Sequence, residues 1–183
     1  MRTEFKVCPM IIIGIWIIAV VLFLLLLLLL SYYIINLIAS ISGAPYIATS
    51  EARLNTVANL LPNSQSAKVV ELGAGEAKTL VRLASMGYEV EGYEINPFLV
   101  LKGRLRIWNS GLKGIRLHWR DYWGVDLSRF DCVYVYGITY VMKRLQDKFQ
   151  RELKPGTLVI SIGFHLPGTN SIKEENGVYV YRY

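Results

Sequence analysis

Val69-Val70-Glu71-Leu72-Gly73-Ala74-Gly75-Glu76-Ala77 decides how the chain is read. A short apolar run closed by glycines reads as a buried strand, and the segment after it has helical spacing. Strand, tight turn and helix in that order open a βαβ unit. In a doubly wound sheet, ligands bind outside the carboxyl ends of the strands, so this turn stands at a ligand position. Gly73 and Gly75 lack Cβ, which lets the backbone take positive φ and approach a ligand closely. An ordinary strand–helix turn uses glycine in the same way, so the turn alone does not choose between the two readings.

The next strand sharpens the choice. Val90-Glu91-Gly92-Tyr93-Glu94 ends in a carboxylate about 20 residues after the glycines, where it can accept hydrogen bonds from both hydroxyls of a ribose. A dinucleotide fingerprint needs a third glycine, and Lys78 occupies that position. Glu71 would repel a pyrophosphate and attract the ammonium of a methionyl group. The pattern therefore favours S-adenosylmethionine over a nicotinamide dinucleotide. Asp121, after the third strand, is placed to accept from an adenine amino group, with Ile95 or Tyr122 covering the ring. A loop aspartate starting a turn is the alternative.

Outward from this centre, strand and helix patterns alternate. Ser50 caps a helix over Glu51–Leu61. A strand over Lys68–Leu72 precedes a helix over Glu76–Met86. Tyr88–Ile95 is a strand, and Pro97 suits the first turn of a helix over Pro97–Asn109. Strands follow at Ile115–Arg120 and Asp131–Tyr136, then a helix over Val141–Leu153 ended by Lys154-Pro155-Gly156. Thr157–Phe164 and Gly177–Tyr183 close the series as strands. Alternating units predict an α/β fold: a doubly wound, mainly parallel Rossmann-like sheet with helices on both faces.

A different segment comes first. No Asp, Glu, Lys or Arg lies between Val7 and Ser50. Met10–Leu30 is apolar throughout and, at about 1.5 Å per residue, spans about 30 Å, the thickness of a hydrocarbon core. Tyr32 and Tyr33 follow as an interfacial pair would. The run exceeds the core of a cleaved signal peptide, about 7–15 residues, and a buried soluble helix would not be apolar on every face. The expectation is a membrane anchor over residues 1–41, with a single transmembrane helix near 10–35, and a catalytic domain over 42–183. Arg2 and Lys6 precede the helix and would hold the N-terminus in the cytoplasm. A cytosolic cofactor instead requires the domain on the cytoplasmic side, and the expectation follows the cofactor.

The totals agree with this division. The chain has 183 residues, 53% hydrophobic, with a net charge of +6. A modest positive excess is compatible with plain solubility or with attraction to anionic lipid. Basic residues crowd between Lys102 and Arg120 and interleave with Trp108 and Trp119, but no nucleic-acid motif accompanies them, so no nucleic-acid partner is expected. Cys8 and Cys132 form neither a metal spacing nor a redox pair, and no metal is expected.

The chain resembles the class I methyltransferases of the FAM173 type, which include mitochondrial protein-lysine N-methyltransferases, and their small prokaryotic relatives. The matching motifs are Tyr46-Ile47-Ala48-Thr49, the turn Glu71 to Glu76, Gly92-Tyr93-Glu94-Ile95-Asn96-Pro97, Asp121-Tyr122-Trp123 and Glu152-Leu153-Lys154-Pro155-Gly156. Three positions depart from the family pattern. Ala48 replaces a proline, Gly75-Glu76-Ala77-Lys78 replaces Gly-Asp-Gly-Arg, and Phe164 to Thr169 lacks the usual proline–tryptophan stretch. The resemblance implies a protein-lysine N-methyltransferase that uses S-adenosylmethionine and acts on a membrane-associated protein. It implies a cofactor site of Tyr46, Thr49, Glu71, Gly73, Gly75, Glu94, Ile95, Asp121 and Tyr122. Tyr46, Tyr136 and Tyr140 are candidates for orienting the amine, and equally for packing. The same core would serve a lipid or small-molecule methyltransferase, or a cofactor-binding module without catalysis.

Overall fold

The computed structural model describes residues 9–42, 47, 49–61 and 67–183. They fall into two compact units that divide between Ile38 and Ala39. The first is one helix, α1 (Pro9–Ser42). Its apolar side chains are exposed on every face, as in Ile13, Trp16, Leu22 and Leu29. The stretch Pro9–Leu37 is long and apolar enough to cross a membrane. Two of its polar side chains bond back to the helix: Ser31 Oγ donates to the Leu28 carbonyl at 2.8 Å and Asn36 Nδ2 to the Tyr32 carbonyl at 2.8 Å. That internal satisfaction is what a lipid environment demands.

The second unit is an α/β domain. Its elements are α2 (Glu51–Leu60), β1 (Lys68–Leu72), α3 (Lys78–Ala84), β2 (Glu89–Glu94), α4 (Pro97–Ser110), β3 (Ile115–Trp119), β4 (Cys132–Tyr136), α5 (Thr139–Glu152), β5 (Leu158–Ile162), β6 (Lys173–Glu175) and β7 (Val178–Arg182). They form one sheet in the order β3-β2-β1-β4-β5-β7-β6. The first five strands are parallel, and β7 runs antiparallel to both β5 and β6. The order reverses direction between β1 and β4, which places a crevice at the carboxyl ends of those strands.

The local reasons are legible. Ser50 Oγ accepts from the Arg53 amide at 3.4 Å and starts α2. Asn96 Oδ1 accepts from the Phe98 and Leu99 amides at 3.0 and 3.4 Å, Pro97 sets the first turn, and Gly111 at φ +64° ends α4. Each central strand is buried on both faces. Val69 and Tyr134 pack with α2 and α3, while Val70, Val133 and Val135 pack with α5. Gly92 is required by close packing, since a Cβ there would lie 2.5 Å from Leu80 Cδ1 and 2.7 Å from Ala74 Cβ.

The two faces are covered unequally. Helices α2, α3 and α4 lie on one, and α5 alone on the other. The β3–β4 crossover carries only a 3-10 turn, Tyr122–Gly124. Lys148 of α5, itself buried, donates to the Trp123 carbonyl at 3.0 Å and the Val125 carbonyl at 2.7 Å, and pairs with Glu152 at 2.8 Å. It fixes the crossover against the domain. Farther along this face Glu91 gathers Arg116 at 3.0 Å and Arg129 at 2.8 Å and accepts from Tyr93 Oη at 3.1 Å. Burial disfavours the Glu91 carboxylate, but Arg116, Arg129, Tyr93 and His118 outweigh it and hold its pKa below the usual value. The expected strand over Gly177–Tyr183 is β7. Its hairpin partner β6 has no counterpart among the sequence expectations, because Lys173-Glu174-Glu175 is exposed throughout and carries no apolar alternation.

Candidate functional site

The glycine turn is built against the end of β2. The Gly73 and Ala74 amides both donate to the Tyr93 carbonyl, at 2.9 and 3.0 Å. Gly73 has φ +80°, is exposed, and a Cβ there would meet nothing within 4 Å. The backbone is therefore open to a ligand at this point. Gly75 has φ +54°, and its amide donates to Glu94 Oε2 at 2.9 Å. The other oxygen, Oε1, accepts from the Asn96 amide at 2.7 Å. Glu94 is buried, and each oxygen keeps a second lone pair for further donors.

Glu71 is the other acidic group. It lies beside Gly92 and Tyr134 in register and is buried. Its Oε2 has no hydrogen-bond partner. Burial pushes its pKa up to about 8, against a hydrogen bond from Thr79, with the Glu94 charge adding to the rise. Tyr134 also bonds Thr79, and its hydroxyl lies 2.9 Å from Thr49 Oγ1. Thr49, Tyr134, Thr79 and Glu71 thus form one buried polar chain across the sheet. Burial, and next the Glu71 charge, raise the Tyr134 pKa.

Beyond β3, Asp121 is exposed, and its Oδ1 accepts from the Trp123 amide at 2.9 Å. Tyr122 is half-buried, and its ring lies 4.8 Å from that of Trp123. Burial foremost, then Asp121, raises the Tyr122 pKa, with Arg144 opposing and Tyr140 and Glu94 adding small increments. Arg144 lies 3.8 Å over the Trp123 ring. Tyr140 is exposed on α5, and Tyr136 ends β4. Arg53 Nη1 donates to Tyr136 Oη at 3.2 Å and Arg53 Nε to the Asn176 carbonyl at 3.3 Å, which ties α2 to the sheet and the last hairpin.

The structure therefore gathers Glu71, Gly73, Gly75, Glu94 and Ile95 at the carboxyl ends of β1 and β2. Asp121, Tyr122 and Tyr140 stand along the rim. Tyr136 has a scaffold partner in Arg53. Thr49 lies behind the strands, joined through Tyr134. Tyr46 lies outside the described residues. Sequence reasoning missed Thr79, Tyr134 and Arg144. Thr79 and Tyr134 read as ordinary helix and strand residues, and only their place beside Glu71 gives them a role.

These features fit S-adenosylmethionine. The partnerless oxygen of Glu71 suits an ammonium, Glu94 suits a ribose diol, and the open backbone at Gly73 leaves room between them. A pyrophosphate would meet two buried carboxylates. Among the described residues no group of three or more His, Cys, Asp or Glu is placed to hold a metal ion.

Comparison with known proteins agrees with the geometry. The ANTKMT methyltransferase domain matches residues 71–173, more than half of the chain. The chain belongs to this family. An adenine nucleotide translocase lysine N-methyltransferase of Mus musculus is 34% identical over 125 residues, 67% of this chain and 54% of that protein. A protein-lysine N-methyltransferase of Saccharolobus islandicus (strain REY15A) is 30% identical over 149 residues, 75% of this chain and 92% of that protein. The chain thus spans about half the length of the first relative and nearly all of the second. Among solved structures, an RNA methyltransferase of Salinibacter ruber in complex with S-adenosyl-L-homocysteine superposes with a TM-score of 0.69 at 23% identity, covering 75% of this chain and 92% of that one. That likeness establishes the fold, that of S-adenosylmethionine-dependent methyltransferases. Within the family pattern, the Ala77 departure falls at a left-handed position, φ +60°, with the methyl fully buried.

Proposed function

We propose that this ANTKMT-family domain is an S-adenosylmethionine-dependent protein-lysine N-methyltransferase acting on a membrane-associated protein. In this reading residues 1–41 are its bilayer anchor and residues 42–183 its catalytic domain, on the cytoplasmic side. The observation that carries the reading is the pair of buried carboxylates at adjacent strand ends. One oxygen of Glu71 lacks a partner, and Glu94 is fixed by two backbone amides. The lysine targets named for the family relatives supply the acceptor chemistry, and the apolar helix supplies the place.

When bound, S-adenosylmethionine supplies an electrophilic methyl carbon whose bond to sulfur breaks as the bond to nitrogen forms. The protein's work is positioning and desolvation. Glu71 holds the ammonium, Glu94 the ribose, and Ile95 and Tyr122 the faces of the adenine, with Asp121 at its amino group. An acceptor lysine has an ordinary pKa near 10.4 and must arrive as the neutral amine. A dry pocket favours that form. Tyr140, exposed at the rim on α5, and Tyr136, at the end of β4, are the hydroxyls that would orient the amine.

The experiment supplies the full chain, reconstituted in vesicles, with methyl-labelled S-adenosylmethionine and a membrane fraction, and reads labelled residues by mass spectrometry. Label on lysine of membrane proteins, lost in Glu94→Ala, supports the reading. Label on lipid would reassign the acceptor, and cofactor binding without transfer to any acceptor would leave a binding module. Protease accessibility of the domain in sealed vesicles of known orientation tests the sidedness.

A further inference from the structure

The basic, tryptophan-bearing segment between Lys102 and Arg120 borders the site through Arg106, paired with Glu76, and Trp119, bonded to the Ile95 carbonyl, and its outer surface is distinctive. Leu101, Leu105 and Trp108 are 68%, 56% and 78% exposed. Their spacing of four and three residues puts them in one stripe along α4. The buried side of the same helix is Val100, Gly103 and Ile107, so the stripe faces away from the domain. Lys102 flanks it on one side and Arg104 on the other, both exposed. Trp119, 63% exposed, stands on β3, the edge strand beside α4, where its Nε1 donates to the Ile95 carbonyl at 3.0 Å, and exposed Lys113 and Arg120 are nearby in sequence.

Three large apolar residues aligned on an exposed helix mark an interaction surface, since isolated ones would scatter. What fits it follows from its chemistry. A protein interface is depleted of lysine at its core. A helix lying in a bilayer interface carries tryptophan and leucine on one face with lysine and arginine along the flanks. The 34-residue α1 argues for the same occupant. Only residues 43–50 separate it from α2 in the sequence. We propose that the outer face of α4, with Trp119, docks onto an anionic lipid surface and sets how the domain sits on its membrane. Leucine and tryptophan side chains enter the headgroup boundary, and Lys102, Arg104 and Lys113 meet lipid phosphates.

The test uses the full chain with Cys8→Ser, labelled with an environment-sensitive fluorophore at Leu105→Cys, or at Lys173→Cys on the opposite edge of the sheet. Cys132 is buried and stays unlabelled. The chain is reconstituted in phosphatidylcholine vesicles with and without phosphatidylglycerol, and flotation confirms that every variant remains membrane-bound. The expected result is a blue shift and quenching by brominated lipid at position 105 in the anionic vesicles, weakened by salt, with no change at position 173. Each basic side chain near an anionic leaflet contributes about fivefold. A Lys102→Glu, Arg104→Glu, Lys113→Glu variant should therefore reduce docking at least about a hundredfold. The proposal is overturned if position 105 ignores lipid charge. It is equally overturned if position 105 responds to protein density alone, which would mark a contact between copies, or responds to a single-stranded RNA in neutral vesicles as strongly as to lipid. None of these readings depends on methyl transfer.

Discussion

Glu94 Oε2 accepts the Gly75 amide at 2.9 Å, so the carboxylate that shapes the glycine turn is the one the proposed function assigns to the ribose. Its second oxygen holds the Asn96 amide at 2.7 Å, just before α4 begins. The site and the fold therefore share a side chain, and damage to one reaches the other. Removing the carboxylate leaves two buried amides without acceptors, at about 1–3 kcal/mol each.

Glu94→Ala should accordingly lower both cofactor affinity and stability. The loss of a charge-assisted pair of bonds to the ribose predicts weakening of S-adenosylmethionine binding by about tenfold to a hundredfold, from about 1.5–3 kcal/mol. Calorimetric titration of the full chain in detergent, beside a thermal melt, measures both. Unchanged affinity in a variant that still folds would remove Glu94 from the ribose site.

Glu71 predicts a proton. Its pKa is raised to about 8, so near pH 6.5 the side chain is mostly neutral. An arriving ammonium favours the carboxylate, so binding should release close to one proton at that pH. Titration in buffers of different ionisation enthalpy counts it, and Glu71→Gln should abolish it. Stability without cofactor has a definite sign as well. The native state binds the extra proton between the ordinary carboxylate pKa of about 4.5 and about 8, so stability is greatest at the acid end of that window and falls as pH rises through it. The glutamine variant should flatten that slope.

The parts legible in the sequence are those with strong local signatures. Gly73, Gly75 and Glu94 announce a strand–turn–helix unit and the end of the next strand. The apolar run from Met10 announces α1. The hairpin of β6 and β7 also had a signature, Asn176-Gly177, which lies at φ +52° and +71° as a two-residue turn requires. Its charged first strand masked it. The Thr49–Tyr134–Thr79–Glu71 chain had none, because Glu71 and Tyr134 meet through sheet register while Thr49 and Thr79 reach them from the start of α2 and from α3. Lys148 likewise reads as half of an i,i+4 pair with Glu152, yet it is buried and holds two backbone carbonyls.

That polar chain predicts a measurable link. Thr49→Val and Tyr134→Phe each remove one hydroxyl with little change of shape. If their 2.9 Å contact is a single shared hydrogen bond, the two losses overlap. A double-mutant cycle in urea should show a coupling of about 1 kcal/mol, with the double variant less destabilised than the sum. Additive losses would mean that the hydroxyls act separately.

Ala77 tests whether the departure from the family turn touches the ligand. Its φ of +60° costs an L-residue about 1–2 kcal/mol relative to glycine. Against this, Ala77→Gly loses a buried methyl, about 0.8 kcal/mol, and loosens the unfolded chain by a further 0.4–1 kcal/mol or so. The terms nearly cancel, so stability should change by less than about 1 kcal/mol. The methyl points at α4: it lies 3.2 Å from where a Cβ on Gly103 would stand. Cofactor affinity should therefore stay within about threefold, since the lost contact is to a helix and not to the ligand. Ala77→Val meets a different balance. A β-branched side chain resists the left-handed region, and the site is fully buried, so a loss of about 3 kcal/mol or more is expected. Urea unfolding and calorimetry on the two variants check both halves. A large loss of affinity in Ala77→Gly would mean that the methyl shapes the cofactor site itself, and that the departure from the family pattern is functional.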